Sequence, residues 1–398
     1  MSQIMTGSTE ELPYWRLSFF YFTYFAVLGA LAPYWGLYLK DLGFGAIAIG
    51  QLMAIFAGTK IIAPNLWGWV ADRSQQRIRI VRMGALFTFL SFSLIFFSTD
   101  YWWIAAVMAC FSFFWNAVLP QIEVITLNHL SNPPATERYS LIRLWGSVGF
   151  IATVVAGGIL FDQVSVRMLP WIIVILMASI WLSSLLFNDK PNHNVGERGL
   201  SFVRILAKTE VWVFFLTCFL MQISHGPYYT FFSLYLESID YSRTAIGWLW
   251  ALGVIAEVLI FIVMHVVMSK LGPRKVILLS LGLATIRWFM IGYFAENFGL
   301  LILSQCLHAA TFGTFHAGAI HIVHQYFRGP HAGQGQALYS SVAYGAGGAV
   351  GALASGYLWD SVDPSFTFTS AAIVSLIAFI MAYFLLKPGA ESGEKIKR

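Results

Sequence analysis

The stretch LYLKDLGFGAIAIGQL at residues 37–52 returns, altered, as LYLESIDYSRTAIGWL at residues 234–249. Tyr38 falls on Tyr235 and Gly50 on Gly247, an offset of 197 in a chain of 398 residues. Two further stretches keep nearly the same register. GGILFD (157–162) falls on SGYLWD (355–360), and DRSQQR (72–77) falls on SKLGPR (269–274). Chance likeness between apolar segments would not hold one register in three separated places. A nearly constant half-chain offset reads as an internal duplication, with two halves in parallel order.

What is duplicated is a set of membrane spans. The chain is 58% hydrophobic and 17% aromatic but only 11% charged, with a mean hydropathy of +0.70. Soluble domains carry about 25% charged residues. An apolar run of about 20 residues crosses a bilayer as a helix. Twelve such runs are present, near 15–39, 47–71, 80–98, 102–126, 138–161, 167–187, 210–236, 244–268, 276–294, 298–324, 332–358 and 364–386. The first is too long for a signal peptide and follows Glu10 and Glu11 instead of a basic stretch. The expectation is an all-α, twelve-helix membrane protein of two pseudo-symmetric six-helix bundles, residues 1–187 and 210–398. The polar stretch 188–209 would link them.

Basic residues orient the spans. Placing both termini in the cytoplasm assigns eighteen of the 24 Lys and Arg to cytoplasmic segments and three (Lys40, Arg167 and Arg243) to the other side. This is the positive-inside bias of a bacterial inner-membrane protein. It also accounts for the net charge of +5 without nucleic acid. The three cysteines, Cys110, Cys218 and Cys306, all fall in spans and read as unpaired.

Six plus six spans with a basic loop after spans 2 and 8 resemble the major facilitator superfamily. The loop GWVADRSQQR (68–77) carries the likeness through Gly68, Asp72 and Arg73; the later glycine of the family pattern is absent. The resemblance implies two halves rocking about a midplane site, with Asp72 and Arg73 gating by meeting a helix N-terminus. RYSLIRLWGSVGF (138–150), QISHGPYYTF (222–231) and QCLHAATFGTFHA (305–317) are similar to the phenylpropionate-transporter branch. More distantly they resemble lactose permease and nucleoside proton symporters. That likeness implies substrate contacts at Glu123 and Arg143, and proton coupling through Glu257, Arg287 and His308. The permease's proton-carrying Glu, three residues after its span 10 His, is replaced here by Thr311.

Charge inside a span is costly and marks function by default. The spans hold Lys60, Glu123, Arg143, Glu257 and Arg287, and Lys60 and Glu257 are related by the 197-residue offset. Glu123 and Glu257 are expected on either side of Arg143. Asn116, His225, Tyr228, Tyr229 and Trp35 complete the expected substrate site. Three fixed cations against two carboxylates favour an anion, and rings such as Tyr24, Trp115 and Trp250 suit a planar ligand. The first expectation is therefore an aromatic monocarboxylate taken up with protons, and the second a sugar or nucleoside. Static ion pairs locking the helices are the alternative for the charges.

Four histidines crowd span 10 (His308, His316, His321 and His324), and His331 follows in the loop. They spread around the helix with no Cys or carboxylate at ligand spacing, so no metal site is expected. No cofactor is expected either, and the protein is expected to work as a monomer with its solute, protons and the lipid bilayer as partners. A membrane-embedded enzyme would need a nucleophile, base and oxyanion donors in register, and none is visible. A solute sensor would use the same cavity without flux.

Overall fold

A computed structural model describes residues 13–130, 135–189 and 202–387. It is all helix, and the twelve expected spans are present. The first six are α1 (Tyr14–Asp41), α2 (Ala46–Ser74), α3 (Arg77–Ser93), α4 (Tyr101–His129), α5 (Ala135–Phe161) and α6 (Leu169–Ser184). Residues 190–201, most of the expected linker, lie outside the described residues. The linker's end forms the short α7 (Phe202–Leu206). The terminal residues 1–12 and 388–398 also lie outside.

The later spans are less regular. Span 7 is α8 (Thr209–Ser224) followed by α9 (Gly226–Ser238). It breaks at His225 because Pro227 brings no N–H to the ladder. Spans 8 and 9 form α10 (Arg243–Phe294), which bends at Gly272, where φ is 73° and only glycine is at ease. Span 10 is α11 (Phe298–His308), a π-helical stretch Ala309–Thr314 and α12 (Phe315–Tyr326). Span 11 is α13 (Ala332–Tyr339), a second π-helical stretch Ser340–Gly347 and α14 (Gly348–Ser361), and span 12 is α15 (Pro364–Leu385).

The halves meet along α2 against α14 and α5 against α10. Lipid supplies no hydrophobic drive between helices, so close packing of small residues must hold them together. A Cβ on Gly50 would lie 2.7 Å from Ala352 O, and one on Gly247 would lie 2.6 Å from Val154 O. Both contacts are at the end of the bundle away from the basic loops. There the duplication becomes visible as paired contacts. Asp162 accepts from Arg243 N (2.8 Å) and Thr244 N (2.9 Å), the first residues of α10. Its repeat partner Asp360 accepts from Ile47 N (3.3 Å) at the start of α2. Lys40 pairs with its own repeat partner Glu237 at 3.3 Å. Each half thus caps a helix of the other. Burial pushes the Asp162 carboxyl up, but bonds from the Thr244 side chain and from the Thr244 and Arg243 backbone outweigh it and hold it below its ordinary range.

Among the described residues, hydrogen bonds between the halves away from this end come from Ser341. It accepts from Asn65 Nδ2 (2.7 Å) and donates to Lys60 O (3.4 Å). The chain is therefore held shut at the end that carries Asp162 and Asp360.

Candidate functional site

In the first half, α4 presents Glu123 and α5 presents Arg143, with Arg143 Nε 3.8 Å from Glu123 Oε1 and both side chains about one-third exposed, at 33% and 29%. The guanidinium lies over Phe25 at 4.1 Å, a cation–π contact that fixes its plane. Tyr24 stacks on Trp115 with centroids 4.0 Å apart. Beside them runs a chain of neutral polar groups: Asn116 Nδ2 donates to Thr59 Oγ1 (3.0 Å), which donates to Ser112 Oγ (3.0 Å). Lys60 adjoins Thr59, its ammonium 5.7 Å from the Phe56 ring, and pairs with no carboxylate among the described residues.

In the second half, Glu257 on α10 meets His308 on α11, Oε1 to Nε2, at 2.9 Å. The two atoms are close but not set at hydrogen-bonding angles, and Glu257 Oε1 has no hydrogen-bond partner among the described residues. His308 stacks in parallel with Phe312 (5.3 Å, 6°), and Gly313 beside it leaves room for the Glu257 methylenes. Glu257 lies within Coulombic reach of Arg287 and of Arg143, and His316 within reach of Arg143, so these charged and polar groups of the two halves are near one another.

Arg287 acts on Glu257 through space but is itself closed off. It is fully buried. Its Nε donates to Ser304 O (2.9 Å) and its Nη1 to Thr311 Oγ1 (3.1 Å). Its guanidinium lies over the faces of Tyr228 (4.3 Å) and Trp288 (4.5 Å), and it makes no direct ion pair among the described residues, Glu257 acting on it only through space. Thr311, the residue that departs from the permease pattern, is thus the group that ties this arginine down.

A model of the MFS_1 like family matches residues 14–370. The chain belongs to the MFS_1 like family. It is 29% identical over 380 residues to "Probable 3-phenylpropionic acid transporter" of Escherichia coli (strain K12), covering 91% of this chain and 95% of that protein. It is 28% identical over 326 residues to "Putative nucleoside transporter YegT" of the same organism, covering 76% and 74%. In fold it is similar to a point mutant of the nucleoside transporter NupG, with a TM-score of 0.84 at 19% identity, covering 94% and 100%. This MFS_1 like protein is therefore a bacterial multi-pass membrane protein and a secondary transporter built for alternating access, not a catalytic fold.

Several expected site residues sit elsewhere in this transporter. Trp35 is packed inside the first half against Tyr38 and Phe92, because its face of α1 turns to the bundle core. His225 and Tyr228 are also fully enclosed. His225 Nδ1 lies 2.8 Å from Met221 O, and Tyr228 Oη donates to Gln305 Oε1 (2.9 Å). They form a wall behind Tyr229, which is half-buried. Glu257 touches His308 and is reached by Arg143 only through space, while Arg143 pairs directly with Glu123. Asp72, in the last turn of α2, pairs with the side chain of Arg77, the first residue of α3 in its own half, and with no helix start of the other half among the described residues, while Arg73 lies over Trp69 at 5.5 Å. Sequence reasoning missed the group His316, Tyr339 and Tyr344. Their signal was the tyrosines of YSSVAYGAGG (339–348), set among small residues next to a histidine-bearing span.

Proposed function

We propose that the chain is a proton symporter of a neutral ring-bearing solute, a nucleoside or sugar. The neutral polar lining beside Glu123 and Arg143 carries this reading. Arg287 is tied to Ser304 O and Thr311 Oγ1 and enclosed by Tyr228 and Trp288, which closes it off from a solute although its charge still acts on Glu257. Arg143 is paired with Glu123. Glu257 lies against His308, where it can take and release a proton. The polar chain Asn116–Thr59–Ser112 and the stacked rings Tyr24 and Trp115 supply the hydrogen bonds and faces that such solutes need.

The basic end is placed in the cytoplasm by the positive-inside rule, so the conformer described is closed outward. Residues 1–187 and 210–398 move as two bodies about the midplane. Glu257 is the proton carrier. Its protonation removes a charge from the site, solute binding between Arg143, Asn116 and Tyr229 completes the load, and the loaded or empty transporter switches. Counterflow in proteoliposomes tests the substrate class: uridine or glucose inside should drive entry of the same labelled solute. An aromatic acid is the second reading, favoured by Lys60's lack of an acidic partner among the described residues and by the phenylpropionic acid relative. Counterflow by 3-phenylpropanoate alone would select it.

A further inference from the structure

The duplication is broken at one of the two corners of the closed end. At the first corner the end of α5 meets the start of α10. Besides the Asp162 bonds, the Arg243 side chain fills this corner: Nη1 donates to Phe161 O (2.9 Å) and Nη2 to Glu237 Oε1 (2.9 Å). At the second corner the end of α14 meets the start of α2. The 197-residue register puts Ala46 where the first corner has Arg243. The counterparts of the groups that Arg243 bonds are Trp359 for Phe161 and Lys40 for Glu237. Both line a cavity of about 230 Å³, together with Ala46, Ile49, Phe231 and Asp360.

The other walls repeat the first corner. Phe231 stacks on Trp359 (4.7 Å, 19°), as its repeat partner Tyr34 lies against Phe161 (5.1 Å). Asp360 stands for Asp162. What differs is the missing cationic side chain. Asp162 has the charge of Arg243 beside it. Asp360 accepts one bond, from Ile47 N (3.3 Å), and has no ion pair among the described residues. Lys40, the other charge in the lining, is neutralised by Glu237 at 3.3 Å. The corner therefore carries one uncompensated negative charge beside two stacked rings, and ring faces attract cations. Lys40 and Asp360 are both exposed, so the cavity opens on the outer surface. Drug-sized ligands need about 300–1,000 Å³, so this cavity takes a smaller one.

We infer that this corner binds a small organic cation, a guanidinium or amine on a short alkyl stem, which enters from outside and holds the transporter closed outward. The cation replaces the arginine that the second corner lacks, with its charge on Asp360 and its stem between Ala46, Ile49 and Phe231. Ala46 and Ile49 belong to one half; Phe231, Trp359 and Asp360 belong to the other. The site is whole only while the seam is shut, and a ligand of one state alone draws the population to that state. Such a cation is a regulator and not the transported solute.

The test uses the full chain and two probes of one shape, butylguanidinium and the neutral butylurea. Calorimetric titration of purified wild type should show the cation binding at least about tenfold more tightly, the lower end of the worth of hydrogen bonds to a charged group. Asp360→Asn keeps the size and one acceptor oxygen and should bring that ratio close to one. Ala46→Met fills the cavity without charge and should block both probes. Coupling to the seam is read at Ile246, the fully buried repeat partner of Ile49. It lies on the first corner's side of the repeat, where a ligand at Asp360 does not shield it. Ile246→Cys is made in a chain whose Cys110, Cys218 and Cys306 are Ser, and intact cells are labelled with an impermeant maleimide. At about four times its dissociation constant, butylguanidinium should slow labelling about fivefold, the factor for a ligand that binds one state. Ala46→Arg, which supplies the missing side chain, should slow labelling with no probe present. Equal binding of the two probes, or binding of neither, overturns the inference. So does cation binding that is unchanged in Asp360→Asn or in Ala46→Met, or labelling at position 246 that a bound cation does not slow.

Discussion

Removing the paired caps at the closed end should open the transporter outward by a calculable amount. Asp162 bonds two backbone N–H groups at the start of α10, at 2.8 and 2.9 Å. Loss of a helix cap costs about 1 kcal/mol, which is about a fivefold change in an equilibrium. Asp360 makes one longer bond, 3.3 Å, to Ile47 N. Half that value, about twofold, is a fair allowance. The double variant Asp162→Ala/Asp360→Ala should therefore raise the outward-open population about tenfold. Ile49, 2% exposed in the seam beside α14, reports on this when replaced by Cys in a chain whose Cys110, Cys218 and Cys306 are Ser. Labelling of intact cells with a membrane-impermeant maleimide should speed up by these factors. Asp162→Asn keeps one acceptor oxygen and should fall between wild type and Asp162→Ala. Unchanged labelling in the double variant would show that the aspartates do not hold the seam.

Other outcomes follow from the same geometry. Because Asp162 is held below the ordinary carboxylate range, its contribution is complete at neutral pH, begins to fade as the pH falls through the ordinary Asp range and is gone below the lowered value. Spin-label distances between positions 44 and 361 should stay flat above the usual Asp range, begin to lengthen within it and level off below the lowered value. Arg143→Gln should abolish solute binding in thermal-shift titrations while the protein stays folded, and Arg143→Lys should restore it poorly because it lacks the planar fork over Phe25; wild-type affinity in Arg143→Gln would remove Arg143 from the site. An impermeant thiol reagent added to cells should modify a Cys at position 240 and spare one at position 270, and the reverse would invert the assigned orientation.

The span map and the seam were legible in the sequence because both depend on features a linear reading preserves. Apolar run length gave the twelve spans, and the 197-residue register brought GGILFD over SGYLWD, the segments that end in Asp162 and Asp360. The facing of side chains was not legible. α1 is apolar all round, so periodicity could not tell Trp35 in the bundle core from Tyr24 stacked on Trp115. Arg287 was counted as a cation of the cavity because span membership says nothing of burial; its enclosure depends on Ser304, Thr311, Tyr228 and Trp288 from three different spans. The π-helical stretches pack on other spans, Ala309–Thr314 on α10 and Ser340–Gly347 on α2 and α8, and neither they nor the meeting of His316 with Tyr344 is announced by a local pattern. The break at His225 could have been read, since Gly226 and Pro227 announce it.

In the proposed symport Glu257 carries the proton that drives uptake. Proteoliposomes holding wild type or Glu257→Gln are given labelled solute with and without an inward proton gradient. Gln keeps the shape of the protonated carboxyl and cannot release a proton. Wild type should accumulate solute only under the gradient, while Glu257→Gln should exchange solute across the membrane and never concentrate it. Gradient-driven accumulation by Glu257→Gln would contradict the account.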